Sequence, residues 1–106
     1  MNKEERSVME HNIITVLETI YDPEIPVNIY ELGLIYEISI GDEGNVKILM
    51  TLTSPNCPVA ESLPQEVKDK VSLVKDLTNT EIELTFEPPW DQSMLSDEAK
   101  LELGFL

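Results

Sequence analysis

The sequence is poor in positive charge and poor in reactive side chains. It holds 7 Lys and Arg against 21 Asp and Glu, with one histidine, one cysteine and one tryptophan in 106 residues. A formal net charge of -14 repels phosphate backbones and anionic lipid headgroups, so nucleic acid and membrane surfaces are poor partners. A basic protein or a cation suits such a surface better, and plain solubility explains it equally well. A lone thiol forms no internal disulfide and closes no zinc or cluster site unaided. No apolar run approaches the ~20 residues of a membrane span. The opening MNKEERSVMEHN lacks the apolar core of a signal peptide, which points to a reducing cytoplasm. There is no glycine-rich phosphate loop, no Cys-x-x-Cys, no His-x-x-x-His and no nucleophile elbow.

What remains is enough to fold. Hydrophobic residues make up 42% of the chain, and one domain, 1–106, of this length buries roughly two thirds of its unfolded surface. Met9, Ile13, Val16, Leu17 and Ile20 recur at helical spacing and predict a helix from Lys3 to about Tyr21, ended by Asp22-Pro23. Leu34, Tyr36, Ile38 and Ile40 alternate as a strand with one apolar face. After the turn residues Gly41 to Asn45, Val46, Ile48, Met50 and Leu52 alternate as a second, giving an antiparallel hairpin.

Val59, Leu63, Val67, Val71 and Val74 form a second helical stripe. Pro64 lies within it, so the helix starts near Pro58 and kinks, or starts at Ser62 with Gln65 closing a capping box; the stripe favours the early start. Ile82, Leu84 and Phe86 give a third strand, stopped by Pro88-Pro89. Ser96 caps a last short helix that ends before Gly104. The expected fold is α/β in the two-layer α+β sense: a three-stranded mixed sheet, built from a hairpin and a right-handed βαβ crossover, with helices on one face.

That topology brings three proline-rich loops to one edge of the sheet. Thr53-Ser54-Pro55-Asn56-Cys57-Pro58 leaves the second strand, and Glu87-Pro88-Pro89-Trp90-Asp91 leaves the third. Asp22-Pro23-Glu24-Ile25-Pro26 precedes the first, which runs the opposite way. Strand ends of this kind are where α/β sheets place their sites. Cys57 stands before a helix-starting proline, where free N–H groups and the helix dipole favour thiolate, the form that attacks carbon or binds soft metals. Asp22, Glu24 and the net charge pull the other way, and the residues alone leave the sign open. A lone cysteine is equally a small buried apolar residue.

Asp22 and Glu24 read as carboxylates aimed at Cys57 or at a metal, or as helix termination beside a solvated acid. Trp90 reads as a hydrophobic wall or partner anchor, or as an indole packed on a rigid turn. Thr51, Thr53 and Thr85 read as strand residues facing away from the core, with Thr53 near enough to the Cys57 loop to donate a hydrogen bond to sulfur. His11 falls on the polar side of the first helix, roughly ten residues or ~15 Å from the Asp22 edge, which disfavours a Cys–His hydrolase.

At these residues the sequence resembles a known family. Residues 22–36, DPEIPVNIYELGLIY, are similar to the opening signature of the iron–sulfur assembly domains that include SufT and PaaD. Residues 50–58, MTLTSPNCP, resemble that family's single-cysteine motif. Residues 88–91, PPWD, with Met94, Ala99-Lys100 and Leu103-Gly104, resemble its C-terminal signature. The likeness covers about residues 10–105, and Pro64 departs from the family's usual pattern.

The resemblance implies a compact α/β domain and an accessory or targeting role in maturing iron–sulfur proteins, an assembly factor rather than a catalyst. It implies that Cys57 is the functional thiol, supported by Asp22, Glu24, Thr53 and Trp90. Cluster chemistry at these loops adds the expectation of transient iron or iron–sulfur cluster binding, with Cys57, Asp22 and Glu24 as candidate ligands. Clusters usually take four thiolates, so a homodimer, glutathione, a carrier or the client would supply the rest. The expected partners are scaffold, carrier or client proteins. Two other readings stay open: a metal-free acidic adaptor, and a thiol-nucleophile enzyme.

Overall fold

The computed structural model describes residues 2–22, 26–53 and 62–104. Helix α1 (Lys3–Leu17) begins where the Asn2 side chain accepts from the Glu5 N–H at 2.8 Å, with Glu4 and Glu5 on the positive end of its dipole. Met9, Ile13 and Leu17 bury one face at four-residue intervals. The helix stops four residues short of Tyr21. Ile20 still reaches the core, but from a turn, and its carbonyl accepts from the Ile29 N–H at 2.8 Å while Tyr21 bridges Asn28. That pairing draws the chain out of the helix before Pro23 can end it.

Strands β1 (Ile35–Ile40) and β2 (Asn45–Met50) form the antiparallel hairpin, and β3 (Asn79–Leu84) pairs parallel with β2. The order is β1-β2-β3, as the alternation predicts. Val46, Ile48 and Met50 are buried, while Asn45 before them and Lys47 between them are exposed and Leu49 is half-buried. One sheet face therefore carries the core, together with Met9, Ile13 and Leu17 of α1 and Leu63, Val67 and Val71 of α2 (Ser62–Val71). Helix α2 packs on β3, and α1 packs on α2 and β1. This is the expected α+β sandwich. Pro64 stands in the first described turn of α2; the alternative start near Pro58, and Val59 with it, lies outside the described residues.

Three details differ from the simple alternation. A bulge between Ile35 and Glu37 sets Ile35, not Tyr36, in register with the buried Met50. Ile35 packs against the core, and the Tyr36 hydroxyl instead donates to the Pro88 carbonyl at 2.6 Å. Thr51 is fully buried, not turned outward, and its N–H donates to Leu34 O at 2.8 Å. Phe86 falls beyond β3 and is exposed.

The C-terminal segment folds back onto the turn before β1 and the start of that strand. A single 3-10 turn (Gln92–Met94) leads to α3 (Asp97–Glu102), whose Ser96 cap accepts from the Ala99 N–H at 3.1 Å. Ser96 in turn gives its own N–H to Glu31 O at 2.9 Å. Gly33 meets this segment so closely, at φ +80, that an added Cβ would stand 2.3 Å from Met94 O.

That contact predicts a difference between two glycines with nearly the same backbone. Gly33→Ala should lower the unfolding free energy by about 2–4 kcal/mol, combining left-handed strain with a clash against backbone. Gly104→Ala, at φ +83 with nothing within 4 Å, should lose only about 1 kcal/mol. Equal losses in urea denaturation would mean that the close approach to Met94 is not there.

Candidate functional site

The candidate site lies where β1 begins and β2 and β3 end. Ile35 pairs with Met50 and Met50 with Leu84, so all three chain ends share one edge. Two further hydrogen bonds extend that line, Thr51 N–H to Leu34 O at 2.8 Å and Thr85 N–H to Met50 O at 2.9 Å. The register thus sets the start of β1 and the ends of β2 and β3 at one edge; the central parts of two of the three loops expected to meet there, residues 23–25 and 54–61, fall outside the described residues. Cys57 and Glu24 belong to those parts.

Asp22 is described, and its side chain is buried, with 3% of its surface exposed. It leads into a loop pinned at its base by the Tyr21–Asn28 bridge. Asn28 then organises the next turn. Its side chain accepts from the Glu31 N–H at 2.9 Å, and its carbonyl accepts from the Leu32 N–H at 3.0 Å. Thr53 stands just after the end of β2, and its hydroxyl oxygen is buried without a hydrogen-bond partner among the described residues. A buried hydroxyl in that state has a bond to give, and burial without one is costly.

Trp90 lies against the turn that follows the Asp22 loop. Its indole N–H donates to Leu32 O at 2.6 Å, and the ring is half-buried against the core. Its polar edge is therefore engaged inside the fold. Sequence reasoning missed Tyr36 and Met94, which join this assembly: the Tyr36 hydroxyl lies 2.6 Å from Pro88 O and 3.6 Å from Met94 Sδ. The signal was Gly33, since a glycine between a turn and a strand marks a close backbone approach. His11 is exposed, as expected of the polar face of α1.

A cluster or iron ion would be cargo here. Among the described residues no three His, Cys, Asp or Glu side chains stand together as a metal site. Asp22 is the buried carboxylate among these residues, and the sequence's one thiol is Cys57. Among the same residues no helix is long and apolar enough to cross a membrane.

Comparison with known proteins follows the same segments. The profile of the iron–sulfur cluster assembly protein family matches residues 10–84. An Fe-S protein maturation auxiliary factor of Porphyromonas gingivalis is 54% identical over 97 residues, 92% of each chain. The auxiliary factor YitW of Bacillus subtilis is 38% identical over 96 residues, 91% of this chain and 94% of its own. Matches of that length run past Leu84 into the C-terminal segment. The crystal structure of a domain of unknown function from Bacillus anthracis superposes with a TM-score of 0.90 at 33% identity, covering 99% of this chain and all of that one.

One titration tests the local geometry of the PPWD turn. The Ser93 hydroxyl and the Ser93 N–H, the latter at 2.7 Å, both donate to Asp91 Oδ1 and hold its carboxyl below the ordinary aspartate value. The stabilisation this lends is present above the unfolded-state value and fades as pH falls through the lower folded one. An NMR titration of the Asp91 carboxyl should show a depressed midpoint that rises in Ser93→Ala; an unmoved midpoint would rule out the pair.

Proposed function

The chain belongs to the iron–sulfur cluster assembly protein family, and from that membership we propose that it is an accessory factor in the maturation of iron–sulfur proteins, with Cys57 as its working thiolate. The observation that carries this reading is the convergence of the strand ends. The single-cysteine motif follows β2 at the edge where β1 begins and β3 ends, and the C-terminal segment is tied nearby to Leu32 and Tyr36. Relatives that match nearly the whole chain are named as maturation auxiliary factors.

The residues take distinct parts in it. Cys57 supplies a thiolate for iron or for a cluster in transit. Thr53, whose buried hydroxyl has no hydrogen-bond partner among the described residues, has a bond it can give to that thiolate when the loop brings the sulfur within reach. Asp22 and Glu24 serve as oxygen ligands or set the local charge. Trp90 and the prolines shape the wall. One thiolate per chain holds a cluster incompletely, so scaffold, carrier or client proteins, or a second copy, complete the ligand set. Loose ligation suits transfer better than storage, and the reducing cytoplasm keeps the thiol available.

Anaerobic reconstitution with iron and sulfide tests this. The wild type should develop cluster absorption, and Cys57→Ser should reduce it to background. Equal absorption in the variant would remove Cys57 as a ligand. The net charge of -14 favours a second reading, a metal-free adaptor that docks a carrier or client through its acidic surface. Its complexes should weaken with added salt and survive Cys57→Ser.

A further inference from the structure

Among the described residues the sheet has two edges, β1 and β3, because the strand order is β1-β2-β3. They are not equivalent. The β1 edge is interrupted by the bulge between Ile35 and Glu37, and Tyr36 is tied to the segment at Pro88. Bulges and covering segments are common ways of blunting an edge. The β3 strand runs from Asn45↔Asn79 to Met50↔Leu84 without a shift in register. Thr85 N–H bonds Met50 O one residue past the Met50–Leu84 pair. In a parallel ladder the residues flanking a paired position face the neighbour, so the N–H and C=O groups of Ile82 and Leu84 face away from β2. A trough of about 500 Å³ runs between α2 and this edge, lined by Gln65, Lys68, Thr80, Glu81 and Ile82.

The charge beside the edge selects an occupant. Glu81 and Glu83 are both exposed on the uncovered sheet face. On the inner side a lysine already serves them: Lys47 is in register with Glu81 and lies 3.6 Å from Glu83. The outer side offers the same geometry with no described strand beyond it. We propose that the outer edge of β3 docks an extended segment of a partner protein as a fourth strand, with Lys or Arg at alternate positions beside Glu81 and Glu83. Main-chain bonds to Ile82 and Leu84 would supply affinity, and the alternating basic side chains would supply specificity. The residues between them would turn toward Lys68 and the half-buried Ile82, which suits uncharged side chains. A second copy of this chain is disfavoured, because edge-to-edge pairing would set glutamates against glutamates between two bodies of charge -14.

This docking edge goes beyond the proposed function by giving the partner's chemistry, and it needs no cluster. The test is a titration of the full chain, labelled with 15N, with a short synthetic peptide of alternating Lys and Val. The controls are a peptide of the same composition with its lysines grouped, and one with Glu in place of Lys. The alternating peptide should shift residues 79–84 and slow amide exchange at Ile82 and Leu84. The double variant Glu81→Lys/Glu83→Lys should weaken its binding at least about tenfold, and Glu81→Gln/Glu83→Gln by less. Both variants should take up a cluster as the wild type does, so this result and the Cys57→Ser result stand or fall separately. Equal binding of the grouped-lysine peptide, with shifts spread over the acidic surface, would overturn the proposal. So would absence of binding, or concentration-dependent protection of Ile82 and Leu84 in the chain alone.

Discussion

The register of β2 is the constraint on which the rest depends. Val46, Ile48 and Met50 enter the core from one side of this strand, and both its neighbours are paired to it along its length. A slip of one residue would turn that apolar set to water and bring Lys47 and Leu49 inward, so burial selects a single pairing. Once Met50 is set opposite both Ile35 and Leu84, the entry to β1 and the exits from β2 and β3 share one edge. No residue at that edge needs to be reactive for the edge to exist. The hydrophobic pattern makes a meeting place, and the loops furnish it.

The C-terminal segment then limits how the meeting place can move. Bonds from Trp90 to Leu32, from Tyr36 to Pro88 and from Ser96 to Glu31 tie one stretch of chain to the turn before β1. Each spans more than fifty residues of sequence, so each closes a long loop at an entropic cost that grows only slowly with its length. The close approach at Gly33 belongs to the same contact. The aromatic ring and the glycine of two separate signatures are thus parts of one joint, which gives a physical reason for their appearing together in one sequence.

The sheet, its order and the cap of the last helix were legible because each rests on a local signal. Asn45 to Met50 alternates without interruption, and Ser96 with the acids after it is a plain helix start. The differences arise where a distant partner decides. Past Leu17 the Thr19 and Ile20 N–H groups turn to Val16 O and Leu17 O, and Ile29 then claims the Ile20 carbonyl, a bond that no helical pattern shows. Tyr36 leaves the core face because a bulge admits one extra residue, and its hydroxyl finds Pro88, fifty-two positions away. Thr51 reads as an outward strand residue, yet it continues the pairing past the end of β2 to Leu34, just before β1 begins, and is covered there. At the site, alternation could show that loops converge but not which atoms they present. Trp90 illustrates the gap, since either a wall or a brace fits its sequence, and only the bond to Leu32 reveals how its N–H is engaged.

The acidic side chains sharpen the same distinction. Most of the 21 acids cost little, because charge on an exposed surface is solvated and its ion pairs are weak. The three ion pairs among the described residues, Arg6–Asp42, Lys47–Glu83 and Lys70–Glu66, all have side chains that are largely exposed. Asp22 is different: among the described residues it is the buried acid, and taking a carboxylate out of water demands compensation from its surroundings. Solubility alone does not account for that burial, which falls in the loop closed by the Tyr21–Asn28 bridge. Asp22 follows Tyr21, whose bridge to Asn28 closes the loop before β1, so this carboxylate is buried where the chain turns from α1 toward the sheet.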